Sequence, residues 1–169
     1  AGRSRWNNHI SLNKNSIGIE IHNPGHAHGY NDFSPKQINS LKFLLKKLIR
    51  KYKIEIKNIL GHSDIAPERK KDPGEKFPWQ KFAKLNLAIW HSLHELDLKR
   101  YRKEKLNKSD EKKYLENIYK IGYKKIEKLN LKSNRILITK AFQRRFRQSL
   151  INGIPDKECL LISKSLLKP

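Results

Sequence analysis

The chain has one cysteine, Cys159, in 169 residues. An internal disulfide is excluded, and the cysteine count leaves the compartment open. Acidic residues are scarce: 16 Asp and Glu stand against 38 Lys and Arg, for a net charge of +22. Such an imbalance points to an anionic partner (nucleic acid, an acidic membrane face or an anionic polymer) or to a lysine-covered surface with no specific partner. No apolar run approaches the ~20 residues that a bilayer-spanning helix needs. Heptads, a glycine-rich phosphate loop and solenoid repeats are all missing. No signal peptide is visible, but the first residue is Ala1 rather than methionine, so that absence carries no weight.

What is present suffices for one domain or two small ones, with a hydrophobic fraction of 37%. Ser16-Ile17-Gly18-Ile19-Glu20-Ile21-His22 alternates cleanly. Its isoleucines take one face and Gly18, Glu20 and His22 the other, which predicts a strand. Glu20 on that polar face is either a general base or a solvent-facing carboxylate. Asn23 to Asp32 reads as a loop, and its histidines, with His22, do not match a structural zinc spacing.

Ser34-Pro35-Lys36-Gln37 is a helix start, with Ser34 as N-cap, Pro35 in the first position and Gln37 completing a capping box. The stripe Ile38, Leu41, Leu44, Leu45, Leu48, Ile49 and Tyr52 predicts an amphipathic helix. Ile54 to Leu60 reads as a buried strand. Strand, helix, strand argues an α/β unit.

The second strand runs into Gly61-His62-Ser63-Asp64-Ile65-Ala66-Pro67-Glu68-Arg69-Lys70-Lys71-Asp72-Pro73-Gly74. A rigid polar loop leaving a strand is the usual place for chemistry. His62 and Asp72 are suited to be two of three protein ligands to a catalytic zinc, or belong to an ordinary surface loop. Phe77 and Trp79 either wall a groove or pin the start of a helical pattern through Phe82, Leu85, Ile89, Leu93 and Leu96. Residues 98–107 are a charge run, read as a linker or a solvated helix end. Three further helical patterns follow over 108–169: one ends at Gly122, and the last starts at Asp156 after an Asn152-Gly153 turn.

Together, the Ser16–Ile21 segment, the Gly61–Gly74 loop and Phe77-Pro78-Trp79 resemble the zinc-dependent N-acetylmuramoyl-L-alanine amidases, the type 2 family that shares its fold with peptidoglycan-recognition proteins. The resemblance spans about residues 1–95. Residues 108–169, with Ala141-Phe142-Gln143 and Asn152-Gly153-Ile154-Pro155-Asp156, look like the three-helix peptidoglycan-binding module that some such amidases carry. The resemblance implies an α/β fold with a mixed central sheet flanked by helices, organised as an amidase portion (1–97), a linker (98–107) and the small helical domain. It implies His62 and Asp72 as ligands of Zn2+, Glu20 as the carboxylate that activates water and Lys70 as the cation beside the oxyanion. Trp6, Phe77 and Trp79 become candidates to contact substrate.

The family's third ligand is a histidine closing an early strand, which the resemblance puts upstream of Ala1. A non-covalently bound N-terminal piece is therefore expected to complete the domain. The implied activity is hydrolysis of the amide between N-acetylmuramic acid, or its anhydro form, and L-alanine in peptidoglycan or muropeptides. The implied setting is the bacterial cell envelope, with the cytoplasm as alternative. A non-catalytic peptidoglycan binder is the rival. A nucleic-acid binder rests on charge alone, since no standard reading motif is present.

Overall fold

The computed structural model describes residues 2–127 and 129–168. The Ser34 start behaves as its sequence dictates. Helix α1 runs Pro35–Tyr52, with Ser34 Oγ accepting from the Gln37 N–H and the Gln37 side chain accepting from the Ser34 N–H. Ile38, Leu41 and Leu45 are buried, and every charged residue of α1 is basic.

The strand expectations fare differently. Residues 16–22 carry no strand ladder, although Ile19 and Ile21 still pack on the core that α1 helps to form. The Ile54–Leu60 run holds a 3-10 turn at Ile56–Asn58 instead of a strand. A strand is stabilised by its neighbours' backbone groups as much as by its own pattern. Among the described residues the only strands that pair are β1 (Arg5–Trp6) and β2 (His9–Ile10), antiparallel with Trp6 opposite His9.

The helical pattern after Trp79 is also cut short. Short α2 (His62–Ile65) and α3 (Trp79–Ala83) are followed by irregular chain, in which Asn86 takes a left-handed φ of 55°. The next helix, α4, begins only at Glu95 and ends at Lys99. Phe82 is buried as expected, but Leu85 and Leu96 face solvent, and Leu87 and Ala88 take the core positions.

The three C-terminal helices form where expected: α5 at Lys108–Ile121, α6 at Leu131–Phe146 and α7 at Lys157–Ser165. Asn107, Asn130 and Asp156 each cap a helix by accepting a backbone N–H. Gly122 ends α5 with a φ of 137°, and a Cβ there would enter the Trp6 ring.

Two apolar cores result. The smaller joins α1 to Phe77, Trp79, Phe82, Leu87 and Ala88. The larger gathers Tyr114, Ile118, Ile138, Phe142, Phe146 and Ile162 from α5–α7, and includes Trp6 and Leu98. Each fully buried side chain of this kind contributes about 1.5–3 kcal/mol of transfer free energy. Residues from both sides of the 98–107 charge run thus share one core. That run is itself pinned: the Lys103 N–H donates to Asp156 Oδ2 at 3.1 Å, and Arg102 makes two 2.7 Å bonds to Glu158.

Candidate active-site loop

The 61–74 loop is closed on itself. The Ser63 N–H donates to the Asp72 carbonyl at 2.9 Å, which brings the two ends of the loop together. His62, the first residue of α2, then meets Asp72: its Nδ1 lies 3.0 Å from Asp72 Oδ2. Both side chains retain solvent access. The two residues expected as zinc ligands thus lie side by side.

The other expected site residues divide. Lys70 is half-buried, and its N–H donates to the Ala66 carbonyl at 3.0 Å within the same loop. Glu20 is exposed, with no hydrogen bond or ion pair among the described residues. Trp6, Phe77 and Trp79 are only 3%, 3% and 4% exposed. Trp6 meets Tyr123 edge-on with centroids 5.0 Å apart, while Phe77 packs on Trp79 and Phe82. Burial gives all three rings to the cores, where apolar area is removed from water, rather than to the wall of a groove. No cluster of three or more metal-ligating side chains occurs among the described residues.

The histidine-bearing 23–31 loop has a role that its sequence did not disclose. His26 Nε2 sits 3.0 Å from Glu75 Oε2, so it serves as a carboxylate partner. Its neighbour Tyr30 donates from Oη to the Pro73 carbonyl at 2.6 Å and accepts from the Lys76 N–H at 3.0 Å. Burial raises the Tyr30 pKa to about 12, so this donor keeps its proton at physiological pH. Gly74, at a φ of 81°, lets the two loops approach, because a Cβ there would collide with the Tyr30 hydroxyl. On the other flank, Arg69 Nη2 donates to the Arg3 carbonyl at 2.9 Å.

The firmest anchor is Asp64. Its carboxylate accepts from the Gly61 N–H at 2.8 Å, from Tyr123 Oη at 2.6 Å and from Arg145 Nη1 at 2.6 Å. The Asp64 and Arg145 side chains are 0% and 1% exposed. The sequence reading missed this anchor, although its position carries one signal. A carboxylate three residues after Gly61 can reach back to the helix-start N–H that a glycine cannot cap. Nothing marked Arg145 among so many basic residues.

A statistical description of the N-acetylmuramoyl-L-alanine amidase family matches residues 1–75, taking in Glu20, His62, Lys70 and Asp72. The chain is 35% identical over 173 aligned positions to the N-acetylmuramoyl-L-alanine amidase AmiD of Escherichia coli, covering 99% of this chain and 62% of that protein. The AmpDh3 structure from Pseudomonas aeruginosa, in complex with an anhydromuramic pentapeptide, superposes with a TM-score of 0.79 at 31% identity, over 98% of this chain and 67% of that one. The chain belongs to the N-acetylmuramoyl-L-alanine amidase family. The structure of Escherichia coli AmiD with anhydro-N-acetylmuramic acid-L-Ala-D-gamma-Glu-L-Lys agrees over the helices as well as the loop, with a TM-score of 0.84, 34% identity and coverage of 98% and 66%. The 1,6-anhydro-N-acetylmuramyl-L-alanine amidase AmpD of Enterobacter cloacae is 39% identical over 82 residues, 48% of this chain and 42% of its own. This chain therefore spans roughly three-fifths of AmiD, its 62% coverage leaving the rest of that protein unmatched.

Proposed function

We propose that the chain carries the Gly61–Gly74 half of the active site of a zinc amidase that cleaves N-acetylmuramic acid, or its anhydro form, from the L-alanine of a stem peptide. The observation that carries this reading is the His62–Asp72 contact of 3.0 Å, on a loop within the stretch matched by the family. The solved relatives bound to anhydromuramic peptides support the anhydro form of the substrate.

An imidazole nitrogen and a carboxylate oxygen in contact are a donor pair that zinc accepts, so His62 and Asp72 fit two of its three protein ligands. The third is proposed to come from residues outside this chain, on an N-terminal piece that also supplies sheet partners for 16–22 and 54–60. Bound there, zinc would supply a water acidified towards a pKa of ~7 and a Lewis-acid contact for the scissile carbonyl. Glu20, exposed and unpaired among the described residues, would take the proton of the attacking water and pass it to the departing alanine amine. Lys70 would hold its ammonium against the oxygen that gains charge, an effect worth about 3 kcal/mol where such a donor is fixed. The α5–α7 layer is proposed to hold peptidoglycan strands. The bacterial cell envelope is the proposed setting, because the substrate polymer is there.

A second reading, a peptidoglycan binder without turnover, is favoured by the absence of a third donor among the described residues. The discriminating experiment measures zinc content and cleavage of anhydro-N-acetylmuramyl-L-Ala-D-gamma-Glu-L-Lys by the natural full-length polypeptide. The amidase reading expects one zinc per molecule, loss of zinc and turnover in His62→Ala, and retained zinc with turnover reduced ~100-fold or more in Glu20→Gln. Zinc-free protein without cleavage would leave the binder. Full activity in Glu20→Gln would remove Glu20 as the base.

A further inference from the structure

Arg145 grips the chain on both sides of His62. Its Nη1 donates to Asp64 Oδ2 at 2.6 Å, and its Nη2 donates to the Ile59 carbonyl at 2.8 Å. One planar guanidinium thus spans residues 59 and 64, with His62 between them. The fork is itself held flat: its carbon lies 4.2 Å from the Trp79 ring centroid and 5.1 Å from that of Phe146. Tyr123, just beyond α5, closes the other carboxylate oxygen, Asp64 Oδ1, from 2.6 Å. Both donors lie in the C-terminal helical layer, outside the stretch that the family description matches.

The geometry points to Arg145 and Tyr123 as positioning residues for the loop that bears His62 and Asp72: the C-terminal helical layer sets the placement of His62 against Asp72. Three observations favour placement over packing alone. A buried ion pair is by itself weak evidence for stability, because desolvation of the two charges offsets their attraction. An apolar pair of similar volume would fill the space without that cost. The bonds also converge on the backbone of Ile59 and Gly61, the residues that fix where His62 leaves the chain. Finally, Ser63 and Asp64, adjacent in sequence, tie the loop in two directions, to Asp72 within it and to α6 beyond it. A metal site has limited tolerance for shifts of its ligands, and loss of groups that orient ligands typically weakens metal affinity by about 10–100-fold.

This inference rests on the zinc reading for its metal readout but not for its geometric one. The test uses the natural full-length polypeptide with Tyr123→Phe, Arg145→Lys and, as a control, Asn130→Ala, which removes the α6 cap at the opposite end of that helix from Arg145. Zinc affinity is measured by competition with a chromophoric chelator. Amide hydrogen exchange at Gly61 and Ser63 and the His62 imidazole NMR signals are followed in parallel, with Tm. Positioning expects Tyr123→Phe and Arg145→Lys to weaken zinc about tenfold and to speed Gly61 and Ser63 exchange. The control should lower Tm with zinc affinity and loop exchange unchanged. Equal zinc affinity in all variants, or losses that simply follow Tm across the control, would overturn it. Should the wild type bind no zinc, the amidase reading fails by itself. Gly61 and Ser63 exchange and the His62 signals then decide positioning alone, and unchanged values in Tyr123→Phe reject it. Should Arg145→Lys unfold the chain, Tyr123→Phe still decides the outcome, because it removes one oxygen atom and keeps the ring.

Discussion

Replacing Asp156 with alanine should cost far more than replacing the other helix caps. Asn107, Asn130 and Asp156 do the same local job at the starts of α5, α6 and α7, each accepting an N–H three residues on. Removing such a cap costs about 1 kcal/mol. Asp156 also serves a buried cation. Its Oδ2 receives Arg147 Nη1 at 3.1 Å, with the two side chains 4% and 1% exposed. Taking away the partner of a buried charge costs about 3–5 kcal/mol. Glu158, 3.7 Å from Arg147, softens the loss towards the lower figure. The sum for Asp156→Ala is about 4 kcal/mol against about 1 kcal/mol for Asn107→Ala or Asn130→Ala. With an m-value of about 2 kcal/mol/M, urea midpoints should fall by about 2 M in the first case and about 0.5 M in the others. Asp156→Asn, which keeps the cap but loses the charge, should fall between. Three alanine variants with midpoints within experimental error of one another would refute the argument that Arg147 depends on this carboxylate.

Glu75 gives a pH dependence. Burial opposes its ionisation, but the hydrogen bond from His26, helped by the Arg144 charge, leaves its pKa below the ordinary 4.5. A depressed carboxylate pKa stabilises the fold above the unfolded value, and that stability disappears as pH falls through the folded value. Glu75→Gln should therefore narrow the stability gap between pH 6 and pH 3 in urea titrations, and an unchanged gap would count against the pair. Cys159 is buried with its thiol pushed up to about 12, so iodoacetamide at pH 8 should leave the folded protein unlabelled and react only once urea unfolds it. Rapid labelling of the native chain would contradict that burial.

Local signals were the legible ones. The Ser34 capping box, the Gly122 stop and the Asp156 cap involve residues within a few positions of one another, and all appear where the sequence puts them. His62 and Asp72, expected as zinc ligands, are brought into contact by one bond that closes the loop, from the Ser63 N–H to the Asp72 carbonyl. The alternation at 16–22 marked correctly that Ile19 and Ile21 face a core, but Ile17 of the same face is exposed, and a side-chain pattern does not supply the neighbouring strand that a ladder needs. The helical stripe from Phe82 to Leu96 failed at Asn86, whose left-handed conformation is a backbone choice that apolar spacing does not register. Trp6, Phe77 and Trp79 drew attention as large aromatics, and only packing could assign them to the interior. The anchors Tyr30, Tyr123 and Arg145 act across 43, 59 and 81 residues of sequence, beyond the reach of any local pattern.

That last separation has a consequence in time. During synthesis the loop bearing His62 leaves the ribosome long before the arginine that secures Asp64. At elongation rates of about 5–20 residues per second, the 81 residues between them take about 4–16 s to make. For that interval Asp64 is a carboxylate without its cation, and the loop has its own closing bond from Ser63 to Asp72 but not its anchor to α6. A nascent chain that ends before Arg145 therefore carries the whole Gly61–Gly74 loop without the cation that anchors it to α6.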